Sequence, residues 1–270
     1  MKRITKAALL ALLAPCYITI ASQAFAAATS TNNANNGSNS VSPAERTKIE
    51  TVVREYLIAK PEVLVEAMQV LQNRQVEQAK ESISQTQKDA PRFAKPLFQT
   101  AGDPVGGNKD GKVTVVEFFD YQCPHCVEMS PVLDAVIKAN PDVRVVYKDW
   151  PIRGPVSEFA ARAAIAANKQ GKYMEMHNAL LNANQQLTQD LILSLAQKAG
   201  LDVERLKKDM ADSSTDAQVK ATIKLAQDLK LFGTPAFFVG KTNGTTATIT
   251  YVPGQLNQAQ MQEIIDKAAK

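Results

Sequence analysis

VTVVEFFDYQCPHCVEMSP, residues Val113 to Pro131, is the stretch from which the rest of the chain is read. Val113, Val115, Val116, Phe118 and Phe119 make a short β-branched and aromatic run of the kind that suits a buried strand. Pro124 suits the first turn of a helix, where its missing N–H costs nothing. Cys123 and Cys126 are therefore expected at a strand-to-helix junction. A helix N-terminus presents unpaired N–H groups and the positive end of the macrodipole, and both favour a thiolate over a thiol.

Cys123, at the helix edge, is expected to be the acidic thiol. His125 can add positive charge or a hydrogen-bond donor to the same sulfur. Cys126, one turn in, is the candidate resolving thiol, and the two are the candidate redox-active disulfide. Two other readings of C-x-x-C stand beside this one. Half of a zinc site would need four ligands, and apart from Cys16 the chain offers only these cysteines with His125 and His177. A purely structural disulfide would close a loop too short to stabilise much. A lone C-x-x-C after a strand points to redox chemistry, with no cofactor and no metal.

At the start of the chain, Lys2, Arg3 and Lys6 precede an apolar stretch that runs to Ile20, and Ala24-Phe25-Ala26 supplies a small-x-small cleavage site. This pattern predicts a secretory signal peptide over residues 1–26. Cys16, after Leu13-Ala14-Pro15, could suggest a lipid-anchored or surface form, but Pro15 directly before it argues against one. Removing the signal lowers the formal net charge from +4 to +1. Such a balance supports neither nucleic-acid binding nor a polybasic membrane patch. An oxidising compartment is the expected setting for the remaining cysteine pair, and the family resemblance given below implies that it is the periplasm.

Residues 27–43 are small and polar, with Asn32, Asn33, Asn35 and Asn36 just before Gly37, and read as a disordered linker. From Ala44 the composition changes to helix formers. Ile49, Val52, Val53, Tyr56 and Leu57 recur at helical spacing in a helix ending near Lys60, and Leu64, Ala67, Met68 and Leu71 do so in a longer helix reaching Lys88. Residues 44–90 are thus expected to form a helical segment whose apolar stripe packs on the chain or on a second copy. Prolines and glycines between Ala90 and Gly111 read as a linker, with a domain boundary near Lys88 to Pro91. Val143 to Trp150 is a second strand candidate. Helices are expected over Ser157–Gly171, Tyr173–Asn184, Thr188–Ala199, Val203–Met210 and Asp216–Lys230. An antiparallel pair follows Gly233-Thr234-Pro235, at Ala236–Gly240 and Thr248–Val252, turning through Asn243-Gly244, and a helix closes the chain at Gln258–Ala269. The order is α/β.

VEFFDYQCPHC, Pro131 within the helix that follows, the helical block and Gly233-Thr234-Pro235 ahead of AFFV together resemble the DsbA-like thiol-disulfide oxidoreductases. The resemblance implies a thioredoxin fold over residues 91–270 with a helical insertion at about 155–231. It implies that Pro235 is a cis-proline facing the cysteines, with Thr234 beside the sulfurs and the adjoining backbone open to an extended substrate. Glu117 matches a buried acidic residue beneath the family's active site, able to take the proton from Cys126. The other reading of Glu117 is a strand residue that faces solvent or pairs with Lys148, and Lys148 could both pair with it and tune its pKa. Thr234 is similar to the residue found in disulfide isomerases, whereas Pro124-His125 is similar to the oxidases. Ser130 stands where the best-known oxidase has an acidic residue, with Glu128 nearby. The N-terminal helices resemble the oligomerisation segments of ScsC-like and dimeric DsbA-like proteins.

The implied function is oxidation, with isomerisation, of disulfides in secreted proteins. The implied partners are folding clients, a membrane oxidant or reductant of the DsbB or DsbD kind, and a second copy of the chain in a dimer or larger oligomer. A non-redox polypeptide-binding protein, chaperone-like or a surface interaction protein, and thiol-based copper handling are the alternatives. His177, Met174, Met176, Met210, Trp150 and Pro151 are read as structural.

Overall fold

The computed structural model describes residues 41–243 and 249–270. The expected signal peptide lies outside them, as does most of the linker. The chain divides into two compact units, Met1–Pro61 and Glu62–Lys270.

The described part of the first unit is one helix, α1 (Pro43–Ala59). Ser42 starts it with a reciprocal cap. Its hydroxyl accepts from the Glu45 amide at 3.3 Å, and its own amide donates to the Glu45 carboxylate at 2.9 Å. None of its residues is buried, and Ile49, Val52, Val53 and Tyr56 leave about half or more of their surface exposed.

The second unit opens with α2 (Glu62–Asp89). Its early apolar residues Leu64, Met68 and Leu71 are exposed, while its last turns join the body of the unit. The Thr86 hydroxyl donates to the Leu229 carbonyl at 2.9 Å, and the Gln87 amide spans Ile249 O at 2.7 Å and Tyr251 N at 2.8 Å. The compact units divide at Pro61, and the end of α2, near the boundary expected at residues 88–91, packs within the second unit.

The segment read as a linker is also structured. A 3₁₀ turn (Ala90–Phe93) leads into α3 (Ala94–Phe98), and Ala90, Ala94, Leu97 and Phe98 are buried on one face. Their i, i+4, i+7 spacing is a helical stripe that the surrounding prolines obscured. A short strand, β1 (Val105–Gly107), follows. Gly107 has φ +66°, and a Cβ there would lie 2.6 Å from the Val143 carbonyl, so this turn into the sheet requires glycine.

The organising strand is β2 (Val113–Phe119), buried along its whole length. Next come α4 (Pro124–Ala139), which carries Pro131 inside it, and β3 (Val143–Asp149). The insertion contains α5 (Pro155–Asn168), α6 (Tyr173–Leu181), α7 (Gln189–Lys198), α8 (Val203–Met210) and α9 (Ser213–Asp228). Side chains of Thr188, Asp202 and Asp212 cap the last three, and the Asp212 cap starts α9 three residues before its expected first residue. The chain closes with β4 (Ala236–Lys241), β5 (Thr250–Pro253) and α10 (Gln258–Ala269). The turn expected at Asn243-Gly244 lies partly outside the described residues.

The sheet order is β1-β3-β2-β4-β5, with β2 and β3 parallel and the other pairs antiparallel. Side chains alternate across it and build two cores. Val113, Val115 and Phe119 face α4, the insertion and α10, whereas Val116 and Phe118 face Leu97, Phe98, Trp150 and Leu225. This is the mixed α/β arrangement with an inserted helical block that the sequence predicted.

Candidate active site

Cys123 is the N-cap residue of α4, in extended conformation (φ −83°, ψ 115°), and its carbonyl accepts from the Cys126 and Val127 amides at 3.0 and 3.1 Å. Both cysteines are buried and present as free thiols. The Cys123 thiol donates to the Thr234 carbonyl at 3.2 Å, and the Thr234–Pro235 peptide bond is cis. Burial alone would raise the pKa of Cys123. Hydrogen bonds from Thr234, Cys126 and the His125 backbone outweigh it and hold the thiol below its ordinary value. The Thr234 hydroxyl is buried with no partner among the described residues, so it is free to donate when the sulfur carries charge.

Cys126 differs. Burial, followed by the nearby Glu117 carboxyl, pushes its pKa well up. Glu117 itself, 4% exposed, is raised to about 8 by burial and then by the charges of Asp149, Asp134 and Cys123. At neutral pH Glu117 thus holds its proton, near a thiol that resists losing its own.

The structure brings together Cys123, Cys126, Glu117, Thr234 and Pro235. It separates two other predicted residues from them. Glu117 pairs in register with Tyr147, and Phe118 with Lys148, so strand alternation turns Lys148 to the opposite face of the sheet from Glu117. There Lys148 is buried and bonded to Asp103, to the Pro96 carbonyl at 2.8 Å and to Thr100 at 3.4 Å. The expected pairing with Glu117 is therefore corrected. The exposed His125 ring points to the Glu128 carboxylate at 3.4 Å, so it is the His125 backbone, not its imidazole, that reaches Cys123. Pro124 opens the helix as expected.

Three residues escaped sequence reasoning. Asp120, 2% exposed, accepts from the Gln122 amide at 2.7 Å, the Ile152 and Arg153 amides at 2.8 and 3.0 Å, and the Ser157 hydroxyl at 2.7 Å. It ties the loop before Cys123 to the loop before α5. The second residue, Arg153, lies in that loop, and its guanidinium Nη2 is 3.8 Å from the Cys123 sulfur. Asp149 is the third. It accepts from the Tyr173 hydroxyl at 3.0 Å, and burial raises it to about 7. Only the position of Asp120 and Asp149 beside chemically marked residues could have drawn attention to them.

His177 is 3% exposed, bonds Tyr121 OH at 3.1 Å and is lowered to about 3 by burial, a neutral ring within an aromatic cluster. A pocket of about 460 Å³ beside Pro124 is lined by Tyr121, Gln122, Val127, Leu181, Gln186 and Leu187, among others. Among the described residues no three His, Cys, Asp or Glu side chains converge as a metal-holding group. None of the described helices is long and apolar enough to cross a membrane.

Residues 114–266 match the family model of the DSBA-like thioredoxin domain. The chain belongs to the DsbA-like thioredoxin-domain family. Residues 45–78 of this DsbA-like chain also match the N-terminal domain of the copper resistance protein ScsC. A thioredoxin-like oxidoreductase from Silicibacter pomeroyi is 41% identical and superposes with a TM-score of 0.60, over 65% of this chain and 96% of its own. BcfH from Salmonella enterica Typhimurium is 33% identical, with a TM-score of 0.61, over 84% of this chain and 97% of its own. The probable disulfide bond formation protein D of Bacillus cereus is 30% identical over 177 residues, 61% of this chain and 77% of that protein. The chain also matches curated Na(+)/H(+) antiporters, of which it spans only about a fifth. In one from Salinispora tropica the match is 33% identical over 139 residues, 51% of this chain and 21% of the antiporter's length.

Proposed function

We propose that this protein is a periplasmic thiol-disulfide oxidoreductase that introduces and isomerises disulfides in secreted proteins through the Cys123–Cys126 pair. The observation that carries the reading is the asymmetry of the two thiols: one at a helix N-terminus, lowered by hydrogen bonding from the Thr234 side chain, Cys126 and the His125 backbone, the other raised by burial and the neighbouring Glu117 carboxyl. In the oxidised protein a client thiolate attacks Cys123, the Cys123–Cys126 bond breaks, and its electron pair goes to Cys126. Glu117 is the acid that protonates Cys126 in this step, and the base for it in the reverse one. A second client thiolate then attacks the client sulfur of the mixed disulfide. The client leaves oxidised, and Cys123 leaves as a stabilised thiolate.

Thr234 and Pro235 offer backbone beside the sulfur for an extended client, which binds with little sequence selection. Turnover as an oxidase needs an external oxidant, and as an isomerase an external reductant, each supplied by a membrane redox partner. The exposed apolar residues of α1 and early α2 support self-association, which would place paired active sites around one client.

The test is reactivation of a scrambled-disulfide protein by the full chain in a defined glutathione buffer, beside Cys123→Ser. Reactivation that disappears in the variant supports the proposal. Client binding of equal strength by both, without exchange by either, would replace it with a non-redox polypeptide-binding protein.

A further inference from the structure

The Cys123 sulfur sits under a side chain that the scheme above does not use. Cys123 is 0% exposed, so no client sulfur reaches it until some contacting group moves. The Thr234 contact is made by backbone, with no side chain that could swing aside. Arg153 is different: it is exposed, and its guanidinium makes no hydrogen bond among the described residues other than the one to Cys123 at 3.8 Å. Its backbone, by contrast, is held firmly. Its amide donates to Asp120 at 3.0 Å, and its carbonyl accepts from Gln122 at 3.5 Å. A fixed backbone with a free side chain is the arrangement of a gate on a rigid post.

We propose that Arg153 gates Cys123 and selects the charge of what reacts there. This rests on the dithiol reading above. In the reduced protein the guanidinium covers the sulfur and pairs with its thiolate. When Cys123 attacks a disulfide, its charge passes to the departing client sulfur and the mixed disulfide forms neutral. The guanidinium is then left without its anion and is free to swing out. The other ionisable groups around this sulfur are Cys126 and Glu117 beneath it, and His125, which faces Glu128. None of them presents a fixed positive charge to an incoming chain. A client or small disulfide carrying carboxylates next to its half-cystine therefore gains from Arg153 twice, by attraction on approach and by replacing the lost thiolate as its partner. A cationic disulfide gains neither.

The test uses the reduced full chain as wild type, Arg153→Met and Arg153→Lys. The first readout is the pH titration of thiolate absorbance, in which Cys126 does not interfere because its pKa is raised. Unit charges 3.8 Å apart shift the thiolate–thiol equilibrium by about three- to sixfold even in water after salt screening, and by no less where one of them is buried. Arg153→Met is expected to lose that factor and Arg153→Lys to keep most of it. The second readout is the ratio of rate constants with oxidised glutathione, which is anionic, and cystamine, which is cationic. This ratio is expected to fall at least about threefold in Arg153→Met and to be retained in Arg153→Lys.

A titration and a ratio unchanged in Arg153→Met overturn the proposal, as does an equal change in the Met and Lys variants. If wild type reacts with neither disulfide, the dithiol reading has failed instead, and the titration still decides whether Arg153 holds the thiolate.

Discussion

Replacing Glu117 by glutamine removes a titrating group from beneath Cys126 and keeps its shape. Burial holds this carboxyl at about 8, against an ordinary value of 4.5. The folded protein therefore keeps a proton that the unfolded chain has already lost. The stabilisation linked to that proton is complete at pH values below 4.5 and is lost as pH rises through the window up to about 8. Between about pH 5 and 7.5, at 1.36 kcal/mol per pH unit, Glu117 removes about 3 kcal/mol of stability from the wild type. Glu117→Gln does not titrate and escapes this loss.

The assay is urea unfolding of the reduced protein at both pH values, taking the difference between variant and wild type so that contributions from Asp149 and Cys123 largely cancel. The variant is expected to gain about 3 kcal/mol on the wild type across the window. Thiol exchange should move the other way, slowing about 10²-fold or more as the proton donor and acceptor for Cys126 is lost. Parallel pH dependence of the two proteins would refute a carboxyl raised by burial. An unchanged exchange rate would refute its part in proton transfer.

Lys148→Met leaves Asp103 buried without its cation and is expected to destabilise the protein by about 3–5 kcal/mol in urea unfolding. Thiol exchange per folded molecule should be unchanged, because Lys148 lies across the sheet from the sulfurs. Removal of residues 1–61 is expected to leave thermal stability and thiol exchange intact while lowering the oligomeric state in light scattering. Removal through Lys88 takes away the three hydrogen bonds of Thr86 and Gln87, worth about 3 kcal/mol, and should lower the unfolding midpoint as well.

The fold was legible where composition and spacing agreed. The run before Cys123 could only be a buried strand, and the Ala- and Leu-rich segments after Trp150 could only be helices. It was obscured between Ala90 and Gly111, where Pro91, Pro96 and Pro104 suggested turns and hid the stripe from Ala90 to Phe98. The cysteines could be found because their chemistry is marked by type and spacing along the chain, and Glu117 and the cis-proline only through the family resemblance that the motif carries. The placement of Lys148 could not, since adjacency to a strand residue says nothing about face until the register of two strands is known. Arg153 could not either, because a loop fixed by a distant carboxylate leaves no periodic trace.

Asp120 has a mechanical consequence. One carboxylate receives donors from the chain on both sides, at the starts of α4 and α5, so α4 and the first helix of the insertion are tied together. On the oxidoreductase reading proposed above, a client wedged against the insertion would push through this carboxylate on the turn bearing Cys123, and a change at that turn on oxidation would pass back the same way. The inserted block would thus be a lever on the sulfur as well as part of the lining of the pocket beside Pro124. Its amplitude is set by how far two loops can travel while sharing a single acceptor.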